Sequence, residues 1–514
     1  MEKGGNLLNA LYEQNIILRT DCGGRGICGK CRIYIVNQDG QHEECNSCTV
    51  TVEKDMTVEI PLGSMLSPEV IGKAPVQLPE QFIRMMQECN HSADFGLAVD
   101  LGTTTIAIYL VNTSSAEILS SSSLKNPQAL FGDDVMSRIY NVSEDEANLR
   151  HLQTLAVKTI ELGAMALLKA CQIPHTGLRS MVVVGNPTMI HLFLGVDPQP
   201  LGVTPYQPVF TQSRVTASQQ IGFEQLQLNI FTLPQISGFI GGDLLSAALA
   251  ADIEHAPHGT LLIDIGTNGE LILKAGSGLY ATSCATGPAF EGATLSCGMQ
   301  AVSGAIDDVI IENALCPPRC TVLSRNGSTN KPKPSGICGS GVVSCLAEMV
   351  RTGIVESSGA FTQQKGITHL LKDRSRGHRF QIFNKEESDT GQEISLCQKD
   401  IRAIQLGKGA LITGIEILLR RAGLEQLERI ILAGAFGSHL KPEDLMAIGM
   451  IPQMDRSKVT VAGNLAGAGA VMALCDENSR SKADELANSV VTIDLAGDPE
   501  FQRHFIKRLS FPPP

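Results

Sequence analysis

Apolar and polar positions change period along the 514-residue chain, and each change marks an element. Residues 5–15 repeat leucine and alanine at helical spacing, whereas 32–36 and 56–61 alternate as strands do. From 62 to about 94 periodicity fades and Pro68, Pro75 and Pro79 interrupt it, leaving one helical patch at 80–87. That stretch reads as a linker with a small helix, either a tether that swings a carrier or a packed connector. From Phe95 the pattern becomes α/β: a strand hairpin over 98–111, a third apolar run at 116–120, and a polar-crowded segment at 126–139. A helix follows over 144–171, carried by Leu149, Leu152, Leu155, Ala156, Ile160, Met165, Leu167 and Leu168. Next come a buried strand at 180–185 and a helix opened by Gly185-Asn-Pro, in which His191 sits among apolar neighbours as a core histidine. Residues 237–250 read as a glycine-rich entry to a close-packed helix, 401–422 as a long helix, and 324–333 and 372–389 as surface loops.

Within this pattern one grammar occurs twice. Asp100 ends an apolar strand and is followed by Gly102, Thr103, Thr104 and Thr105; Asp264 does the same before Gly266, Thr267, Asn268 and Gly269. Successive backbone N–H groups in such a turn form an anion nest, hydroxyls add donors, and a carboxylate at the strand end can hold Mg²⁺ through water. Two such turns, 164 positions apart, predict duplicated halves facing one nucleotide. Neither a G-x-x-x-x-G-K-[ST] loop nor a strand-linked G-x-G-x-x-G is present, which disfavours Walker-type and dinucleotide-binding sites. Further glycine turns recur at 286–292, 336–341, 432–437 and 463–470.

The chain has 15 cysteines, five of them between positions 22 and 48. Cys22, Cys28 and Cys31 follow a C-x5-C-x2-C spacing through Gly23, Gly24, Gly26 and Gly29, and a fourth thiolate would complete a four-sulfur site. Glycines suit a loop that must wrap a cluster and point N–H groups at sulfur. A plant-type [2Fe–2S] ferredoxin loop and a zinc knuckle both draw on such thiolates; the one long and one short spacing favours iron–sulfur. Cys48 and Cys45 compete for the fourth position. The Cys316/Cys320 pair has no partner pair nearby, so its spacing does not make a second metal site.

Composition narrows the classes. The formal charge of −12 argues against a nucleic-acid binder, 43% hydrophobic residues suffice for sizeable cores, and no run reaches the ~20 apolar residues of a membrane span. With no leader pattern at 1–5, the expectation is a cytoplasmic protein whose cysteines stay reduced.

Strand-Asp-x-Gly-Thr twice, followed by Leu432-Ala-Gly-Ala-Phe-Gly437, resembles the acetate and sugar kinase, Hsp70 and actin superfamily. That resemblance implies an α/β fold with two ribonuclease-H-like subdomains around an ATP cleft. Asp100 and Asp264 would be its catalytic carboxylates, residues 102–105 and 266–269 its phosphate loops, and Gly434 and Gly437 would lie at the adenosine. Residues 240–249 and 463–470 would supply the two hinging helices. With the cysteine loop in front, the chain resembles the reductive activators of corrinoid proteins over nearly its whole length: 22–31, 99–105, 126–128, 133–139, 185–198, 264–270, 336–341, 432–437 and 501–513. The implied organisation is a small α+β ferredoxin-like domain at 1–63, shortened because only 1–5 precede its helix, a linker at 64–94, and actin-like subdomains at 95–256 and 257–514. The implied cofactors are ATP, Mg²⁺ and a [2Fe–2S] cluster on Cys22, Cys28, Cys31 and Cys48, the last favoured by its place ahead of residues 49–61. The implied activity is one-electron reduction of a Co(II) corrinoid on a partner protein to Co(I), fed by an external low-potential donor; a homodimer is compatible with it. Two neighbours in the superfamily are the alternatives: an activator of a radical dehydratase or reductase, which lacks the ferredoxin domain, and a small-molecule kinase, which leaves the cysteine loop unexplained. A non-enzymatic ATP-dependent interaction module would carry no cluster.

Overall fold

The computed structural model describes residues 4–513 except 14–15, 17, 19–25, 27–30, 37–38, 62–63, 65–75, 89–93, 293–294, 325–331, 374–376 and 435–439. At the N-terminus, strand Arg32–Val36 pairs antiparallel with His42–Asn46 on one side and Thr57–Glu59 on the other. Helix Leu7–Glu13 belongs to the same small core, where Leu7, Leu11, Leu18 and Ile33 are buried with Cys31 and Cys48. The His42–Asn46 strand has no apolar alternation, and its polar His-Glu-Glu-Cys-Asn sequence hides it from a pattern reading.

Two six-stranded sheets follow, and five strands of each repeat one topology. In the first, Glu117–Lys125, Thr105–Asn112 and Phe95–Leu101 form an antiparallel meander, extended by parallel Leu178–Val184 and Asn229–Thr232. In the second, Gly278–Cys284, Gly269–Ala275 and Thr260–Ile265 form the meander, extended by parallel Arg429–Ala433 and Val459–Val461. The duplication holds at the level of register: Asp100 lies opposite Val184 and Asp264 opposite Ala433, each carboxylate leaving its sheet at the same place.

Strand Phe95–Leu101 is apolar almost throughout because both of its faces are covered. Leu97, Val99 and Leu101 join the core beneath helix Ala147–Ala170, with Leu152, Ala156 and Ile160. Ala98 faces the other way with Ala107, Tyr109, Val182 and Val184, onto Ala466, Ala470 and Ala473 of helix Leu465–Cys475. Helix Gly242–Ala250 covers the second sheet instead, packing Leu244, Leu245 and Ala248 against Leu262, Ile272 and Ile431. These two helices cross backbone to backbone: a Cβ on Gly469 would meet the Ser246 carbonyl oxygen at 1.9 Å, and Ser246 Oγ donates to the Ala466 carbonyl at 2.6 Å. They are the two helices expected from residues 240–249 and 463–470, positioned by small residues at their crossing.

Several sequence expectations need correction. The helix expected over 144–171 is Ala147–Ala170, but a further helix, Val135–Glu144, precedes it in the polar-crowded segment and is parted from it at Asp145, which is extended and whose side chain accepts from Ala147 N. The expected surface loop over 372–389 contains strand Gly377–Phe383, paired with Leu370–Asp373 and Ile394–Cys397, because its inward Phe380 and Ile382 outweigh the polar residues around them. Between the two linker readings, the described part is a packed connector: helix Glu80–Glu88 buries Phe82 and Met86 in the core of the Gly242–Ala250 helix. His191 is a satisfied core residue, stacked on Phe210, with Nδ1 on the Pro187 carbonyl and Nε2 accepting from Val209 N.

Candidate functional site

Each phosphate-loop candidate is a tight turn closed on itself. Gly102 N donates to the Thr105 carbonyl at 3.0 Å, and Gly266 N to the Asn268 carbonyl at 3.0 Å. The turns face each other: Thr104 Oγ1 lies 3.4 Å from Thr267 Oγ1. Asp100, Gly102 to Thr105 and Asp264 to Asn268 thus line one cleft, together with Asp243, Glu270 and Gly434. Gly269 is buried in strand pairing beneath the second turn. Gly434 adopts φ +102°, and a Cβ there would sit 2.7 Å from Asp264 Oδ1, so only glycine lets the strand end pass beside that carboxylate. Gly437 lies outside the described residues.

A buried polar frame holds the first loop. Arg138, wholly buried, donates through its guanidinium to the carbonyls of Thr103 (2.6 Å) and Gly132 (2.9 Å) and to Gln128 Oε1 (3.2 Å). Burial pulls its pKa down to about 10. Asn126 donates to the Gly102 carbonyl, and Asn186, the N-cap of helix Pro187–Leu194, donates to Thr103 Oγ1. Asn464, the N-cap of helix Leu465–Cys475, donates to Asp100 Oδ2 at 2.9 Å and to the Tyr109 hydroxyl at 2.9 Å. Burial and the adjacent Asp100 raise the Tyr109 phenol, which stays protonated. The cleft floor is acidic: burial, then Asp243 and Asp264, raise the Glu270 carboxyl well above its usual range. A divalent cation bound through water at such a floor would favour the ionised form.

The sequence reading missed Glu291. Its Oε2 accepts from Thr104 Oγ1 at 2.5 Å and from Thr267 Oγ1 at 2.7 Å, so one carboxylate bridges both loops. The signal was present in Thr286-Gly-Pro-Ala-Phe-Glu-Gly292, read only as a glycine turn. Glu291 ends the short 3-10 turn Pro288–Glu291, and Thr286 Oγ1 ties its base to the Thr267 carbonyl at 3.0 Å. With the bridge in place the space between the two turns is narrow, ≈ 90 Å³.

In the N-terminal domain, Cys31 and Cys48 are buried with sulfurs 3.3 Å apart, close to the ~3.8 Å expected of two thiolates on one tetrahedral metal with bonds of ~2.3 Å. Cys48 is fixed from both sides: Ser47 N donates to the Cys31 carbonyl and Asn6 Nδ2 to the Cys48 carbonyl. Cys45 is half-buried on the strand opposite Ile33, its thiol pushed up by burial, then by Glu43, Cys31 and Glu44. Cys22 and Cys28 lie outside the described residues, and among the described residues no group of three or more His, Cys, Asp or Glu could hold a metal ion.

Two duplicated sheets, crossing helices between them and paired Asp-Gly-Thr turns define an ATP-cleft protein of the actin, Hsp70 and sugar-kinase type. The chain belongs to the RACo family: residues 95–256 match the RACo middle region and 258–514 the C-terminal ASKHA domain of RACo. It is 32% identical over 430 residues to the corrinoid activation enzyme RamQ of Eubacterium limosum, spanning 81% of this chain and 70% of that protein. It is 25% identical over 450 residues to the Co(II) methylated amine-specific corrinoid protein reductase of Methanosarcina barkeri, with coverage of 81% and 77%. Among solved structures, a reductive activator for corrinoid, iron–sulfur protein superposes with a TM-score of 0.75 at 27% identity, covering 100% of this chain and 96% of that one.

Proposed function

We infer that this protein is an ATP-dependent reductive activator of a corrinoid protein, returning a partner's inactive Co(II) corrinoid to the Co(I) state by one-electron transfer. The observation that carries the reading is the joining, in one chain, of a buried convergent cysteine pair and a two-loop phosphate cleft, in a family whose named relatives activate or reduce corrinoid proteins. Cys31 and Cys48, with Cys22 and Cys28, would hold a [2Fe–2S] cluster, which when bound supplies the one-electron donor. Residues 1–63 form that electron-carrying domain, 64–94 connect it, and 95–256 and 257–514 close on ATP. The 102–105 and 266–268 turns would bind phosphate oxygens, with Gly269 anchoring the second turn from beneath, Asp100 and Asp264 would hold Mg²⁺ through water, and Gly434 and Gly437 would lie at the adenosine. The reading places the protein in the cytoplasm, where a low-potential donor reloads it; among the described residues no helix is long and apolar enough to cross a membrane.

Nucleotide is needed because plant-type clusters lie near about −400 mV and the reduction runs uphill. A coupling energy of ~1–3 kcal/mol moves a one-electron couple by only ~40–130 mV, so nucleotide state and partner docking act together. The test is to mix reduced protein with candidate Co(II) corrinoid proteins and follow Co(I) absorbance with and without ATP. Co(I) should form only with ATP, and Cys28→Ser should abolish it while ATP binding persists. Equal Co(I) without ATP, or reduction surviving Cys28→Ser, rules the reading out.

A further inference from the structure

Helix Gln398–Arg421 lies on the outer face of the second sheet and carries two stripes with different tasks. Leu411 and Leu418 enter the core with Leu271 and Cys284. Lys408, Ile412, Ile415 and Leu419, also at helical spacing, line a cavity of ≈ 850 Å³ instead. Its other walls come from residues 446–458 and from the tail after helix Phe501–Arg508, with Ile451, Met454 and Phe511 among them. Every wall belongs to the second subdomain, so the cavity does not depend on how the two halves stand. Its volume falls within the ~300–1,000 Å³ of small-molecule sites.

One charge is buried in this apolar surround. Lys408 is 1% exposed, and its ammonium is held from the tail side: Nζ donates to the Ser510 carbonyl at 2.5 Å and stands 5.2 Å from the centre of the Phe511 ring. Gly449, at φ +69°, frames the same place, since a Cβ there would lie 3.7 Å from Nζ and 3.0 Å from the Pro512 ring. An ammonium has three protons to donate, and neither the carbonyl nor the ring is an anion. The carboxylates that share the cavity are committed elsewhere or exposed. Glu416 pairs with Arg508 and His504, Asp455 accepts from Ser457, and Glu425 is exposed beyond the helix. The remaining cations are Lys458, paired with Glu428, and exposed Lys507, which has no ion pair among the described residues. Burial and then Arg508 pull the Lys408 amine down to about 8, and no carboxylate offsets them. At neutral pH the cavity therefore holds a cation without a counter-ion, a costly state that a bound anion relieves.

We propose that this cavity binds a small monocarboxylate with an apolar body, its carboxylate accepting from Lys408 Nζ and its hydrocarbon lying along Ile412, Ile415 and Ile451. The site is independent of the nucleotide reading above. Its chemistry selects the class. One buried amine with two protons left to give suits a monoanion, whereas a phosphate dianion asks for several donors that walls of isoleucine, methionine and proline lack. A neutral apolar molecule would fill the space and leave the cation unpaired.

The test titrates full-length protein with octanoate by calorimetry. At pH 7 octanoate should bind with a dissociation constant on the order of 0.1–1 mM, and 1-octanol, which keeps the chain and loses the charge, at least about tenfold more weakly. Inorganic phosphate in excess should not displace it. Because the carboxylate binds the protonated amine, affinity should hold below about pH 8 and fall above it, by about tenfold between pH 7 and pH 9. Lys408→Met should weaken octanoate at least about tenfold and abolish that fall, while 1-octanol binding persists and shows the cavity intact. Met454→Trp, which fills the cavity from a half-buried wall, should weaken both ligands. A Lys408→Met protein that does not fold leaves the wild-type pH series and Met454→Trp to decide. Failure of octanoate to bind, equal binding of octanoate and 1-octanol, pH-independent affinity in the wild type, displacement by phosphate, or unchanged binding in Met454→Trp overturns the assignment.

Discussion

Arg138 concentrates more of the site's stability than any carboxylate does. Its guanidinium satisfies two carbonyls and Gln128 inside the protein, so Arg138→Met strands the Thr103 and Gly132 carbonyls at once, while Gln128 Oε1 keeps its bond from Asn126 Nδ2. The expected loss is ~3 kcal/mol or more, read as a lower urea midpoint, with weaker ATP binding because the Thr103 carbonyl loses its anchor. Lys408 gives a pH signature. Buried, with Nζ donating to the Ser510 carbonyl, its amine is pulled down to about 8 by burial and then by Arg508. Between about pH 8 and the ordinary lysine value the unfolded chain holds the proton that the folded chain has lost, so this residue makes stability rise with pH across that window. Unfolding free energies at pH 8 and pH 10 should therefore rise more in wild-type protein than in Lys408→Met; equal slopes refute the shift. At this scale the sequence was legible where residue type is tied to a backbone need: Asp100, Gly102, Thr104, Asp264 and Gly434 all stand in the cleft. It was silent on Glu291 and Arg138, whose roles come from long-range folding that brings residues 104, 138, 267 and 291 together.

At the level of elements, the crossing of helices Gly242–Ala250 and Leu465–Cys475 is the tightest contact between the two halves. Gly469→Val must push the Ser246 backbone aside, and the expected cost is ~2 kcal/mol or more with loss of ATP binding, checked by thermal melting and calorimetry. A tolerated valine would mean that the crossing does not transmit closure. Both helices were legible from their small-residue runs, and both phosphate hairpins from strand-turn-strand grammar. The Val135–Glu144 helix and the Gly377–Phe383 strand were not, because each depends on a local cap, Asp134 on Ser137 N, or an inward pair of side chains that periodicity over a longer window averages away. Strand His42–Asn46 was hidden for a related reason: a polar edge strand is defined by its partner, Arg32–Val36, and not by its own composition.

For the whole molecule, the described state is a shut cleft with its two turns in hydrogen-bond reach of one another. Cysteines at both positions, Thr104→Cys with Thr267→Cys, should cross-link under mild oxidation, given hydroxyl oxygens 3.4 Å apart in the parent. The oxidised protein should bind ATP at least about tenfold more weakly, with recovery on reduction, because a locked conformer excludes the competent one. Undiminished binding in the cross-linked protein would show that nucleotide enters without parting the turns.

Helix Glu80–Glu88, pinned to the body through Phe82 and Met86, sets a boundary on where the cysteine loop can go. The chain from Pro61 to Val76 spans residues 62–75, which even fully extended reach no more than about 50 Å. The cysteine-bearing domain is therefore leashed to one face of the nucleotide-binding body. Any surface that meets both the cysteine-bearing domain and the body must lie within that span. Burial of Phe82 and Met86 fixes where that span starts, and releasing them would move its origin outward along the chain.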